Sequence, residues 1–344
     1  MKKIDLSFLK HKELPTKEVK VEVNGEQVEV IEKACTLTAK WAVVVSAGDD
    51  LVAVLNAANA GETIQIEAGD YDLSGYAFTK DVILVGPNAG VDGNAERVAE
   101  ANIKMSSATL SANLTIDGVN IIGSSAWSDK GLLLNANAGH LVLENNIISK
   151  YITFIQTNAN HSADVESSIT IEHNKFNTIG QFFVYIQDGK GAGIAKLEFN
   201  YNTTVANDSY GMVGVNGMIS LRDVNTPDFV ANVVGNYFDS VNTEDYDVAM
   251  IRINSGTAKV IGNTFNNIKT IVAPSSTSTT IFKYNMFLGA DGAALETAPA
   301  GVSDSDVATT DEERLAGIEA YFTPLPKYTI EYDLDGGNWG AEEG

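Results

Sequence analysis

Four short segments hold the side chains with which this chain could do chemistry: Phe154-Ile155-Gln156, Tyr185-Ile186-Gln187-Asp188, Ser220-Leu221-Arg222-Asp223 and Ile251-Arg252-Ile253-Asn254. Each sets amide, guanidinium or carboxylate groups among aliphatic and aromatic residues, the composition of a strand with one polar side. If the four lie side by side, Gln156, Gln187, Asp188, Arg222, Asp223 and Arg252 form a row of donors and acceptors able to hold a polysaccharide. The plainer reading is a surface charge pair between adjacent strands, so these six are candidate glycan-binding residues and no catalytic residue is assigned.

Metal and cofactor chemistry find little support in the spacing. The four histidines, His11, His140, His161 and His173, show neither the Glu-x-x-His nor the His-x-His pattern that brings ligands together. Glu244, Asp245 and Asp247 could meet a calcium ion in a loop, but solvated loop acids explain them as well. No metal site and no cofactor are expected. Cys35 is the only cysteine, which rules out an intramolecular disulfide and reads as a buried apolar thiol.

Residues this far apart need a scaffold that brings them together, and a degenerate repeat supplies one. Leu143-Glu144-Asn145-Asn146-Ile147-Ile148 is echoed by Ile171-Glu172-His173-Asn174-Lys175-Phe176 and Phe199-Asn200-Tyr201-Asn202-Thr203-Thr204. It returns in Val233-Val234-Gly235-Asn236-Tyr237-Phe238, Val260-Ile261-Gly262-Asn263-Thr264-Phe265 and Phe282-Lys283-Tyr284-Asn285-Met286-Phe287. Ile116 to Ile121 is a weaker opening copy. The shared asparagines, Asn146, Asn174, Asn202, Asn236, Asn263 and Asn285, are separated by 28, 28, 34, 27 and 22 residues, the length of one coil of a solenoid with loops of variable size. An asparagine can bond its own turn and its copies above and below while tolerating a left-handed corner. The six therefore predict a structural ladder. Ile148, Phe176, Phe238, Phe265 and Phe287, two positions later, point inward in this reading, and Thr204 predicts a coil that is less well packed.

Ahead of the repeat, Ala47 to Gly61 reads as a capped amphipathic helix and Thr63-Ile64-Gln65-Ile66-Glu67-Ala68-Gly69-Asp70-Tyr71 as a strand. From about Asp49 to Val85 the chain resembles the opening of the pectin methylesterase and pectate-lyase-like superfamily, where a short helix lids the first coil and a strand with Ala/Pro-Gly-x-Tyr follows. The resemblance implies an all-β fold, a right-handed parallel β-helix, with short capping helices. It does not carry an activity. Only Gln187-Asp188-Gly189 is similar to the pectin methylesterase motifs, whose second Asp and Gly-Arg-Pro-Trp are missing; the paired Asp and Gly-His-Gly of polygalacturonases do not occur either.

The ends differ from the repeat. Residues 1–43 hold a mixed-charge arm, Met1 to Lys17, and a predicted hairpin, Val19 to Val30, turning at Asn24-Gly25. The β-helix is expected over 44–300 and an acidic capping helix with a linker over 301–326, the helix lidding the far end of the solenoid. Residues 327–344 resemble the first strand and Gly-Gly turn of a Listeria–Bacteroides repeat, a β-grasp-like module of surface proteins, and its missing remainder implies either a native chain that continues beyond Gly344 or a strand that adds to an edge of another subunit.

A net charge of −22 repels a phosphate backbone, and from Gly301 onward 11 acidic residues face only 2 basic ones. Nucleic acid is thus an improbable partner, and no window is long and apolar enough to suggest a membrane span. Met1 to His11 lacks the apolar run of an export signal, although parallel β-helices are usually exported. Virion proteins, made in the host cytoplasm and released by lysis, escape that conflict. The expected function is a non-enzymatic structural protein of a tailed-bacteriophage virion, a head fibre or capsid decoration. Its arm would meet other virion proteins, a glycan of host or mucosa would be its ligand, and a homo-oligomer would be compatible with this role. The alternative is a polysaccharide lyase or adhesin of a bacterium, secreted or held at the cell surface. Both rest on analogy of fold.

Overall fold

The asparagine repeat becomes a hydrogen-bonded column in the computed structural model. The structure describes residues 22–23, 26–27 and 43–322, the last apart from 125–128, 188–189, 192, 207–217, 223, 225–227, 241–248, 269, 274–275 and 290. In the column, the Asn146 backbone N–H and Nδ2 both donate to Asn174 Oδ1, at 2.9 and 3.1 Å. Asn174 repeats this toward Asn202, Asn202 toward Asn236, Asn236 toward Asn263 and Asn263 toward Asn285. Each Nδ2 also donates to a strand carbonyl of the preceding coil, such as that of Leu143 from Asn174. All six asparagines are buried, so every polar atom taken from water finds a partner in the column.

Two ends close the column. At the start, the Val119 N–H donates to Asn146 Oδ1 at 3.0 Å. At the finish, Asp304 replaces a seventh asparagine: its Oδ2 accepts from the Asn285 N–H and Nδ2 at 3.1 and 2.9 Å. The left-handed residue of each corner is not the ladder asparagine but the one before it, a correction to the sequence reading. Asn145, His173, Tyr201 and Tyr284 have φ between 54° and 57°, and Gly118, Gly235 and Gly262 fill the same place. The asparagine itself is left free to point inward.

Around this corner the chain winds as parallel strands on three faces. The first face has ten strands, from Val43–Val45 through Leu114–Asp117, Leu141–Glu144, Ser167–Glu172 and Ile194–Asn200 to Thr279–Lys283. The second follows each corner, from Gly69–Asp72 to Met286–Leu288, and the third runs from Ala77–Phe78 to Thr270–Val272. Two long strands, Ile147–Thr157 and Lys175–Ile186, turn from the second face onto the third, with a register shift between Tyr151 and Thr153 where they bend. The fold is a parallel β-helix, as the repeat predicted.

Period-two alternation fills the interior. On the first face Ile116, Leu143, Ile171, Phe199, Val233, Val260 and Phe282 stand in one register column, all buried. On the second, Phe176, Thr204, Phe238, Phe265 and Phe287 form another. Thr204 was expected to leave its coil poorly packed, and it does not. Phe199 reaches across from the first face and stacks with Phe176 at 5.8 Å and Phe238 at 6.1 Å, so the aromatic column continues around the threonine.

The N-terminal helix, Leu51–Ala57, caps the first coil with Leu51 and Leu55 buried. Asp50 is its N-cap, accepting from the Ala53 N–H at 3.0 Å. Its last carbonyls are met by Lys80, whose ammonium donates to those of Asn56 and Ala58.

The far end departs from expectation. Residues 289–310, not the helix, lid it: Leu295 N–H bonds the Phe287 carbonyl, Ala308 N–H that of Asn285, and Val302 and Val307 pack on the core. The helix Asp311–Phe322 lies along the side, where Ile318 meets Val234 and Ile261, two outward residues of the first face that are apolar. A Cβ on Gly262 would come within 2.2 Å of Ile318, so the glycine opens the groove the helix needs.

Near the N-terminus, Glu22–Val23 pairs antiparallel with Glu26–Gln27, the core of the predicted hairpin. The Asn24-Gly25 turn, the arm from Met1, Cys35 and the strand Tyr328 to Trp339 lie outside the described residues.

Candidate functional site

Register decides which of the six candidate residues meet. On the third face Gln156 pairs with Tyr185, Tyr185 with Ser220, and Ser220 with Arg252. One column therefore holds Gln156 and Arg252 with a tyrosine and a serine between them. Two positions further along, just past the strand ends, Gln187, Arg222 and Asn254 follow Ile186, Leu221 and Ile253, which pair in the same way. The two columns are adjacent, with coils about 4.8 Å apart.

The polar atoms are held by neighbouring coils. Arg222 Nη1 donates to the Tyr185 hydroxyl at 3.0 Å, and Asn254 Nδ2 donates to the Arg222 carbonyl at 2.9 Å. Tyr185 stacks on Phe182 with ring centroids 4.3 Å apart and planes 9° from parallel. The Gln187 N–H donates to Thr157 Oγ1 at 3.1 Å. A guanidinium carries donors and no acceptor, so Arg222 presents donors to this face. Tyr185 and Ser220 complete this column; both stand in the segments singled out in the sequence but were not among the six candidates.

Not every candidate is placed for contact. Gln156 is buried, at 8% exposure, and so is Ser220, while Gln187, Arg222 and Arg252 are half-buried. Gln156 is thus corrected from a ligand contact to a support for the row, because the strand carrying it is buried throughout from Tyr151 to Thr157. Asp188 and Asp223 lie outside the described residues, as do Glu244, Asp245 and Asp247. Among the described residues no three His, Cys, Asp or Glu side chains are grouped to hold a metal ion, and no helix is long and apolar enough to cross a membrane.

A second polar region lies on the ladder corner, and the sequence reading missed it. Residues 86–100, inserted between the first and second faces of one coil, cross the outside of the corner as a strap. The Gly90 N–H donates to Asp117 Oδ1 at 3.1 Å, the Gly93 N–H to the His173 carbonyl at 2.8 Å, and Asn94 Nδ2 to Thr203 Oγ1 at 2.6 Å. Arg97, mostly buried and paired with Glu100, donates to the Asn145 carbonyl at 2.7 Å. Asp92 meets His173 at 3.0 Å, and His173 stacks on Tyr201. His173 is thus a structural corner residue.

The charges of this corner shift one another. Burial alone would raise Asp92, but the bonds from His173 and Asn94 hold its carboxyl below the usual range. The bond to Asp92 raises His173 in return, helped by the charges of Glu172 and Glu144. Glu144, between Asp117 and Glu172 in one outward column, is raised first by burial and then by those two carboxylates. The only local signal was the Gly-rich run Gly86 to Asn94, which reads as an ordinary loop.

This geometry defines the class: a parallel β-helix solenoid with a polar, aromatic row on one face. No family model and no curated protein sequence matches the chain. Among solved structures it is similar to an Arg-to-Ala variant of the PL6-family alginate lyase AlyGC, with 16% identity, 78% of this chain and 42% of the lyase covered, and a TM-score of 0.46. A second structure of AlyGC matches at 16% identity and a TM-score of 0.46, over 72% of this chain and 39% of the lyase. The chain spans about two fifths of the lyase's length, and the likeness concerns the fold.

Proposed function

We propose that the chain is a non-enzymatic structural protein of a tailed-bacteriophage virion, a head fibre or capsid decoration, whose third face binds glycan. The observation that carries the reading is the half-buried set of Tyr185 and Arg252 in one column beside Gln187 and Arg222, with buried Ser220 as a support between them. An aromatic ring whose hydroxyl accepts from the Arg222 guanidinium suits sugar hydroxyls, and it needs no proton transfer. An uninterrupted ladder from Asn146 to Asp304 gives the rigidity of a rod. Residues 1–43 are proposed to attach it to other virion proteins, as a single copy or a homo-oligomer.

The test has two arms. Mass spectrometry of purified particles from the native source should detect the chain as a stoichiometric component. Binding of the purified protein to a glycan array should be lost in Arg222→Ala/Arg252→Ala while particle incorporation persists. Absence from particles, together with release of unsaturated uronate products from a polysaccharide panel, would replace this reading with a lyase.

A further inference from the structure

The third face carries an outward row that reaches well past its arginines. Leu110, Leu134 and Thr157 stand in one register, as do Ile186, Leu221 and Ile253, and the pairing of Gln156 with Tyr185 aligns the two sets. The residues that follow them, Ser111, Asn135, Asn158, Gln187, Arg222 and Asn254, therefore form a single row with one member per coil. At about 4.8 Å per coil the row is about 24 Å long. The N–H groups of Ser111, Asn135 and Asn158 donate to the carbonyls of Phe78, Leu110 and Leu134, and those of Arg222 and Asn254 to the carbonyls of Ile186 and Leu221. The ladder geometry thus continues past the strand ends.

Side chains lock the N-terminal half of the row. Asn158 Nδ2 donates to Asn135 Oδ1 at 2.9 Å, and Asn135 Nδ2 to Ser111 Oγ at 3.0 Å. An asparagine amide has two N–H donors and two acceptor lone pairs, and these bonds use only part of that capacity. Asn158 is exposed, and Ser111 and Asn135 are half-buried, so donors and acceptors remain for a ligand. The adjoining outward column holds Leu133, half-buried and paired with Gln156, whose partner on the next coil is Tyr185. An apolar or aromatic side chain therefore lies beside an amide at two places, Leu133 with Asn135 and Tyr185 with Gln187. Sugar rings, with C–H faces edged by hydroxyls, suit that combination.

The form of the row sets the form of the ligand. Although the chain carries −22, and the first face stacks Asp117, Glu144 and Glu172 in one column, the half from Ser111 to Asn158 holds no carboxylate. A glycan with or without acidic sugars meets no like charge along it. An exposed hydrogen bond gains little over the bond to water that it replaces, so no single member of the row can hold a ligand. A straight run of weak contacts is used fully only by an extended chain, in which each contact after the first is intramolecular.

We propose that Ser111, Asn135 and Asn158 continue the glycan site of the third face, and that its ligand is a linear glycan of several sugars lying along the solenoid axis. The inference rests on the glycan reading of that face. The test is calorimetric titration of the full chain with cello-oligosaccharides and with oligogalacturonates of three to eight sugars. In at least one series the Kd should fall about tenfold or more from three sugars to six. Asn135→Ala/Asn158→Ala should weaken the six-sugar ligand about tenfold and leave the three-sugar ligand unchanged, whereas Arg222→Ala should weaken both. The shorter ligand is the control for folding, since a damaged fold would lose both lengths. Three sugars bound as tightly as six, or a double variant that loses neither length or both alike, overturns the extended row and leaves the arginine site standing. No binding of either series by the unaltered chain overturns the row and the glycan reading together.

Discussion

The outer side of the ladder corner is covered twice, and the two halves solve one problem with different chemistry. Toward the N-terminus the outward column reads Asp117, Glu144 and Glu172, the corner residues are Asn145 and His173, and the cover is a polar strap joined by hydrogen bonds and an ion pair. Toward the C-terminus the same column turns to Val234 and Ile261, the corner residues become Gly235 and Gly262, and the cover is a helix seating Ile318. A polar cover is bound by directional, titratable contacts that water competes with. An apolar cover is bound by buried area and fit. The column under each cover sets which kind it receives.

Below both covers the ladder is common, so the largest effect should ignore the difference. Asn174→Leu and Asn263→Leu each strand neighbouring amides and carbonyls and should cost about 1–3 kcal/mol, read as a fall in the denaturation midpoint. Equal losses support one continuous column. An unchanged midpoint for either would break it.

The helix half should respond next. Ile318→Ala removes the apolar anchor of a small cluster and should cost about 2 kcal/mol, with faster proteolysis within Asp311–Phe322 and no change in the strap. Gly262→Ala should loosen the same helix, because its Cβ would strike Ile318 at a corner whose φ is +60°. Should the strap lose protection in these variants, the two halves would not be separable.

The strap half should show the pH dependence. His173, raised above its ordinary 6.5, contributes stability that is complete below that value and lost as pH rises through its folded pKa. Asp92, held below 3.8, contributes stability present above that value and lost as pH falls through its folded pKa. Ionised Glu144 is penalised, which also favours mild acid. Hydrogen exchange of the Gly90 and Gly93 amides, corrected for intrinsic rate, should therefore be slowest between about pH 4 and pH 6.5 and speed up toward pH 8. Both His173 and Asp92 are more than a third exposed, so solvent screening keeps the effect below about 1 kcal/mol. His173→Gln should flatten the alkaline limb, and an equal slope for amides of the side helix would remove the contrast.

Much of this was legible beforehand, for a local reason. A ladder asparagine, the inward residue two positions later and the turn before it all sit within six residues, so each repeat announces its own corner. Stacking then places Tyr185, Ser220 and Arg252 together once the strands are aligned. The strap left no such mark, since Gly93 is required only because its Cβ would lie 2.6 Å from the Lys175 nitrogen, 82 residues away. Phe199 gave no sign that it would bridge the gap at Thr204, nor Asp304 that it would end the ladder.

By itself the sequence determined the coil: its period, its corner, its inward faces and hence a parallel β-helix, because these follow from alternation and turn chemistry over short spans. Tertiary structure alone decided what lies against the outside of the coils. It put residues 289–310 over the end and the helix along the side, buried Gln156, and brought Asp92 to His173. Those outcomes depend on which outward groups remain to be paired or covered after the coils have stacked, and no local pattern carries that remainder.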